Sequence, residues 1–381
     1  MVTLAAMLVV LGPLSMEAVL PALAQMEVHF RISTSSSQLI MSAWLVGSAV
    51  GQLLWGPVGD RVGRRPALAF SSAGFAGASA VCILAPAFEG LLLGRFLQGL
   101  ATGGGAVLSR AVVRDWYSGE RAVRLFGVLS SALFLAPMIG PVLGGFLATH
   151  FGWTGIYVFV GLWSLGALAL IGTSLEESFP PDRRSSGRAP LWTVLAQVGR
   201  NRQFVLCSLI VAASSAGMFA FITGSPDMLI NQMGMSPLNF GLSFLVVAAG
   251  FIAGVQLSRL LTPRGLRTRL AVGLAMGLVA GIALTLQTTS HGVVQAIGPC
   301  LLFYLGLGIV QPLSMAAALE PFQQTAGAAA SLVGFGMMTT GAVASMIVGR
   351  LHDQAEVGIG LFFAVGSGVG LLAVAGLKER R

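Results

Sequence analysis

Twelve runs of mainly apolar residues, each close to the length of a membrane crossing, dominate this chain. They cover roughly 2–26, 36–57, 67–87, 88–112, 122–148, 153–174, 203–224, 238–261, 270–289, 292–316, 326–348 and 357–376. A spanning helix needs about 20 such residues. Backbone polar groups cannot stay unpaired in lipid, so runs of this length are expected to be helices. The predicted fold class is an all-α membrane protein. Of 381 residues, 55% are hydrophobic and only 9% are charged, whereas a soluble domain carries about 25% charge. That is too little to coat a water-facing surface, which excludes a soluble enzyme, a disordered chain and a classical nucleic-acid binder. The 51 glycines suit membrane helices, where small residues let backbones approach.

The net charge of +8 takes its meaning from where the basic residues fall. If the first loop is outside and the loops alternate, the inside loops hold Arg61, Arg64 and Arg65; Arg110, Arg114, Arg121 and Arg124; Arg183, Arg184, Arg188, Arg200 and Arg202; Arg259, Arg264, Arg267 and Arg269; and Lys378, Arg380 and Arg381. Of the 22 basic residues only Arg31, Arg350 and the intrahelical Arg95 remain. The positive-inside rule then places both termini in the cytoplasm. The basic balance reflects topology rather than a nucleic-acid partner.

At the start, Ala22-Leu23-Ala24 looks like a signal-peptidase site. No basic residue precedes Arg31, however, and Glu17 lies within the run, so a retained first helix is expected. The missing basic tail leaves open a start upstream of Met1. The three cysteines, Cys82, Cys207 and Cys300, lie far apart in apolar stretches without metal or redox spacing; they read as small buried hydrophobes.

The longest polar stretch contains Pro180-Pro181-Asp182-Arg183-Arg184-Ser185-Ser186-Gly187, which is linker chemistry. Residues 190–199 have the pattern of a short amphipathic surface helix. The stretch divides the chain into a six-run half over 1–175, a cytoplasmic linker over 176–202 and a second six-run half over 203–381. A faint echo, Gly63-Arg64-Arg65 and Gly265-Leu266-Arg267, recurs 202 residues apart, with Thr262 where the first copy has Asp60.

Four motifs carry the chemistry. The first, Gly56-Pro57-Val58-Gly59-Asp60-Arg61-Val62-Gly63-Arg64-Arg65-Pro66, joins the second and third runs. A merely basic topogenic loop requires neither these glycines nor this aspartate. The second, Gly140-Pro141-Val142-Leu143-Gly144-Gly145, lies in the fifth run with Gly127 upstream. Proline removes a backbone donor and kinks a helix, and the glycines leave a smooth packing face. The third, Gly94-Arg95-Phe96-Leu97-Gln98-Gly99, puts an arginine inside the fourth run, a placement that costs about 2.5–3.5 kcal/mol on insertion scales and demands water or a partner. The fourth is Glu17, followed by Leu20-Pro21-Ala22-Leu23. Burial favours the neutral form of such an acid and a nearby cation favours the charged form, so a group balanced between them loads and unloads a proton. Glu17 and Arg95 thus read as a working pair.

These motifs resemble those of the major facilitator superfamily. The first matches its loop G-x-x-x-D-R-x-G-R. The second matches its antiporter motif G-x8-G-x3-G-P-x-x-G-G, with Ala136 in place of the second glycine, and the third its R-x-x-Q-G. The fourth resembles the first helix of the bicyclomycin- and chloramphenicol-resistance drug:proton antiporters, with Glu where that branch usually has Asp. The resemblance implies a major facilitator fold of twelve transmembrane helices in two six-helix halves, in a bacterial inner membrane. It implies a proton-coupled exporter of drugs or small amphipathic molecules working by alternating access. An exporter of an endogenous metabolite such as an amino acid or nucleoside is the alternative.

The expected proton-coupling residues are Glu17, Arg95 and Asp227, the last either a second acid or a simple helix-end residue. The expected latch is Gly56, Asp60, Arg61, Gly63, Arg64, Arg65 and Asp115, in which Asp60 faces the N-terminus of a neighbouring helix and Arg64 pairs with Asp115. Candidate cavity residues are Met16, Met41, Trp44, Gln98, Phe134, Met138, Met218 and Phe219, each equally readable as core or lipid-facing. Glu320 reads as a boundary residue. Partners are a small-molecule substrate, protons and the bilayer, with a monomer expected and no cofactor or metal. His29, His150, His291 and His352 fall at loops or helix ends, and no H-E-x-x-H or G-x-S-x-G motif occurs, which disfavours a membrane-embedded enzyme.

Overall fold

The computed structural model describes residues 2–117, 119–179, 198–261, 264–287, 292–322, 326–351 and 354–377. Most of the linker, including Arg183, Arg184, Arg188 and most of the expected 190–199 helix, lies outside them. So do Lys378, Arg380, Arg381, His291, His352 and Thr262. The described residues are helical almost throughout and contain no strand. The elements are α1 (Val2–Glu17), α2 (Leu23–Phe30), a short α3 (Thr34–Ser37), α4 (Leu39–Val62), α5 (Arg64–Leu84), α6 (Phe88–Trp116) and α7 (Gly119–Ser174). After the linker come α8 (Arg202–Pro226), α9 (Pro237–Leu260), α10 (Leu266–Leu286), α11 (Val293–Leu319), α12 (Ala326–Arg350) and α13 (Ala355–Gly376).

Eleven segments of the described residues are long and apolar enough to cross a membrane, one fewer than the twelve runs. The fifth and sixth runs share the 56-residue α7, which is interrupted at Gly152 by a non-helical φ of 70° and ψ of 177°. A single crossing needs about 20 residues, so α7 holds two crossings separated at Gly152. Large apolar side chains stand exposed along the helices, Phe70, Leu84, Leu162, Leu260, Leu286 and Leu372 among them. Lipid is the solvent in which such a surface is stable.

The chain forms two compact units. One comprises Met1–Arg31 and Ala43–Val194, the other Ile32–Ser42 and Leu195–Arg381. In the first unit, Leu4 and Leu8 of α1 pack with Ala67 and Leu68 of α5, Leu108 and Val112 of α6, and Ala167, Ile171 and Leu175 at the end of the chain's sixth run. A second layer joins Leu11, Phe75, Ala101 and Val160. Indole donors fasten the helices to one another: Trp55 Nε1 donates to the Leu100 carbonyl at 2.7 Å and Trp163 Nε1 to that of Met7 at 3.1 Å. In the second unit, Phe303 of α11 and Phe363 of α13 stack with ring centroids 3.7 Å apart, and Ala220 of α8 packs with Ala344 and Val348 of α12.

The faint sequence echo has a backbone counterpart. Gly63 immediately precedes α5 with φ 102° and ψ 160°, and Gly265 immediately precedes α10 with φ 54° and ψ 159°. Positive φ favours glycine because a Cβ crowds the backbone there. Cys82, Cys207 and Cys300 are free and buried.

Candidate functional site

The first crossing is broken near its middle. Pro21 has no N–H to donate to the Glu17 carbonyl, and its ring crowds that turn. Accordingly α1 ends at Glu17, Leu20–Ala22 form a 3-10 turn, and α2 resumes at Leu23. Ala18, Val19, Leu20 and Ala22 are fully buried, as non-helical backbone at membrane depth must be. Glu17, at the lip of this break, is 3% exposed. Its Oε2 is buried and has no hydrogen-bond partner among the described residues.

The last carbonyls of a helix have no donors within it. Arg95 of α6 supplies one here: its Nη1 donates to the Ser15 carbonyl at 3.2 Å. Arg95 is completely buried, and its Nη1 also donates to Gln98 Oε1 at 3.0 Å. Gln98 Nε2 in turn donates to Ser79 Oγ of α5 at 2.8 Å, and Ser79 donates to the Phe75 carbonyl at 2.9 Å. Arg95 engages the backbone two residues before Glu17 rather than bonding to Oε2 of its carboxylate. Gln98, one of the cavity candidates, is fully buried and accepts from Arg95, three residues before it on the same helix face.

The antiporter motif lies directly against Glu17. A Cβ at Gly140 of α7 would come within 2.6 Å of Glu17 Cβ, and one at Gly144 would fall on the Ala18 carbonyl. Only hydrogen at these positions lets α7 reach the broken turn. Pro141 and Gly145 are buried beside them, and Gln25 Nε2 of α2 donates to the Ala148 carbonyl of α7 at 2.9 Å. The side-chain surroundings of Gly127, Phe134 and Met138 lie outside the described residues.

Among the other cavity candidates, Met16, Met41 and Trp44 are buried, and Trp44 Nε1 has no hydrogen-bond partner among the described residues. Met218 is half-buried. Phe219 packs its ring on Gly341 of α12, which gives it a place in the packing of the second unit. Asp227 opens a π-helical turn, Asp227–Gln232, and is 7% exposed. Its two oxygens accept from Asn231 Nδ2 at 3.0 Å and Gln232 Nε2 at 3.1 Å. Glu320 is exposed in a 3-10 turn at the end of α11.

A separate polar cluster surrounds the loop between α4 and α5. Arg64 Nη2 lies 2.6 Å from Asp60 Oδ1, and its Nε lies 3.3 Å from Asp115 Oδ2. Gly59 leaves room for the guanidinium, since a Cβ there would sit 2.9 Å from Arg64 Nη1. Arg65 donates to the Gly172 carbonyl at 2.7 Å, while Arg61 is exposed. The sequence reading missed Glu177, Ser178 and Phe179. Glu177 accepts from the backbone N–H groups of Arg64 at 2.8 Å and Arg65 at 3.3 Å, capping the positive end of α5. Ser178 Oγ donates to Asp115 Oδ2 at 3.3 Å, and the Phe179 ring lies 5.0 Å from the Arg64 guanidinium carbon, a cation–π contact. The only sequence signal was an acid just beyond an apolar run, and its partner is more than 100 residues away.

Residues 5–345 match the family model of the Major Facilitator Superfamily. The chain belongs to the Major Facilitator Superfamily. It is 31% identical over 384 residues to an MFS-type transporter of Bacillus subtilis strain 168, YdgK, covering 98% of this chain and 94% of that protein. It is 30% identical to the chloramphenicol resistance protein of Pseudomonas aeruginosa, over 90% of this chain and 82% of the other. Multidrug resistance protein D of Escherichia coli strain K12 is 27% identical, over 97% and 92%. Two solved transporter structures superpose on it. The D-xylose-proton symporter gives a TM-score of 0.72 at 15% identity, over 98% of this chain and 95% of that one. The peptide transporter POT gives 0.76 at 14%, over 98% and 93%. The major facilitator fold is therefore shown, and with it a multi-pass membrane protein of the transporter class.

Proposed function

We propose that this superfamily member is a proton-coupled exporter that exchanges external protons for cytoplasmic drugs or small amphipathic molecules. The observation that carries this reading is the Glu17 carboxyl, buried at a broken membrane helix, with one oxygen that has no hydrogen-bond partner among the described residues, and seated against the antiporter-motif glycines. Resemblance to proteins named for multidrug and chloramphenicol resistance supports the substrate class. The distribution of basic residues supports cytoplasmic termini in a bacterial inner membrane.

In the proposed cycle, substrate enters from the cytoplasm while Glu17 is ionised. The halves, 1–175 and 203–381, rock about the linker. A proton from outside neutralises Glu17 and displaces the substrate, and the protonated carrier returns to release its proton inside. Substrate and ion sites near the midplane, beside discontinuous helices, recur in secondary transporters. Each ionisation change at Glu17 alters what Arg95, bonded to the carbonyl two residues away, can hold. The purified protein in proteoliposomes, tested against a compound panel with and without ΔpH, checks the reading. At least one compound should accumulate only with the gradient; movement indifferent to ΔpH for every transported compound would refute proton coupling.

The cluster around Arg64 is proposed as the conformational latch. Asp60→Asn removes the 2.6 Å ion pair, but Asp115 remains bonded to Arg64. The Asp60 side chain is 37% exposed, so stability should change by less than about 1 kcal/mol. Transport should nevertheless collapse with protein still in the membrane. Normal turnover of Asp60→Asn, measured beside its membrane level, would remove the latch from the mechanism.

A further inference from the structure

The two halves share more than a glycine turn. α5 and α10 are each 21 residues long, Arg64–Leu84 and Leu266–Leu286, and they start and end 202 residues apart. Every buried residue of α10, from Leu270 to Leu284, lies 202 residues after a buried residue of α5, so both helices bury the same face. The helices that close the two halves stop in step as well, α7 at Ser174 and α13 at Gly376, and each is followed by a buried leucine, Leu175 and Leu377. The arginines keep the same register. Arg65 Nη2 donates to the Gly172 carbonyl in the last turn of α7 at 2.7 Å, and Arg267 Nη2 to the Ala375 carbonyl in the last turn of α13 at 3.3 Å.

In the first half, two residues beyond Leu175, the Glu177 carboxylate closes the start of α5 by accepting from the N–H groups of Arg64 at 2.8 Å and Arg65 at 3.3 Å. The first N–H groups of any helix need an acceptor from outside it, and they form its positive end. Those of α10 belong to Leu266 and Arg267, after a glycine that has no side chain with which to cap them. Two residues beyond Leu377 stands Glu379, outside the described residues. We propose that Glu379 is the cap of α10: its carboxylate accepts from the backbone N–H groups of Leu266 and Arg267, and the segment after α13 docks on the start of α10. An acid fits this place because the equivalent place holds one, and because Arg264, Arg267 and Arg269 flank it in sequence and attract an anion. Only the cap carries over. Arg380 and Arg381 stand where Ser178 and Phe179 complete the first cluster, and Thr262 stands where that cluster has Asp60. The second half thus keeps a fixed clip between α10 and α13 without the ion pair of the first. The clip is independent of what the chain transports.

The test needs no substrate. Amide hydrogen exchange is measured by mass spectrometry on the purified full chain in phosphatidylcholine nanodiscs, on fragments covering 63–67 and 265–269. Glu379→Gln should speed exchange in 265–269 about fivefold and leave 63–67 unchanged. Glu177→Gln should do the reverse. Deleting residues 378–381 should match Glu379→Gln, and moving the wild type into phosphatidylglycerol nanodiscs should change nothing, because the place is already filled. Unchanged exchange in 265–269 in Glu379→Gln or in the deletion overturns the proposal. So does a rise spread over the whole second unit, which would mean general loosening. Slowing of 265–269 in the wild type by phosphatidylglycerol also overturns it, since a lipid phosphate would then be the occupant.

Discussion

Glu17→Gln is expected to reduce ΔpH-driven export to background while the protein stays folded in the membrane. The amide has the shape of the protonated acid and cannot ionise, so the carrier is fixed in its loaded form. Removing an ionisable group from a site where Oε2 has no partner among the described residues relieves a desolvation cost instead of adding one. The thermal midpoint should hold or rise, which separates loss of coupling from loss of fold. Exchange of substrate for substrate should fall as well, because in the proposed cycle the proton-loaded form is the one that has released its substrate. Gradient-driven accumulation by Glu17→Gln in proteoliposomes would place the proton carrier elsewhere.

Gly144→Val should be the most damaging change outside the acid. A Cβ at Gly144 falls on the Ala18 carbonyl, with the Ala18 carbonyl carbon at 2.6 Å and its Cα at 2.7 Å. All three are backbone atoms of a buried turn, and a flexible side chain's retreat is not available. Overpacking of this kind costs about 1–3 kcal/mol, occasionally more, and it pushes α7 away from the residue that carries the proton. We expect a lowered thermal midpoint and loss of transport, with Gly144→Ala milder in both. Gly166→Ala on the same element is the control, because nothing lies within 4 Å of a Cβ there. It should match the wild type in both measurements. If Gly144→Val does so too, the close approach has no functional weight.

Much of the fold was legible in the sequence because lipid imposes a coarse rule on every residue. The described residues of the twelve runs are helical almost throughout, with the fifth and sixth runs sharing α7 on either side of Gly152. The motifs were legible because glycine, proline and intramembrane charge are costly unless used. Pro21 marks the end of α1 by its missing N–H. What Arg95 holds was not legible. The sequence shows a buried cation and a buried acid, and pairing them is the obvious reading. The structure instead gives the arginine a backbone carbonyl freed by the helix break. Glu177 was missed for a similar reason: its worth as a cap comes from the start of α5, over a hundred residues earlier.

By itself, then, the sequence determined that the chain is a bundle of membrane helices, which runs form them, where they break and which few charged groups need a purpose. These follow from local composition and from the cost of unpaired polar groups in hydrocarbon. Only the tertiary structure decided that Gly140 and Gly144 face Glu17, that Arg95 reaches the Ser15 carbonyl and that Glu177 caps the start of α5. Those facts depend on how helices distant in sequence rotate and pack against one another, and van der Waals fit between helices leaves no periodic mark on a chain whose runs are apolar on every side.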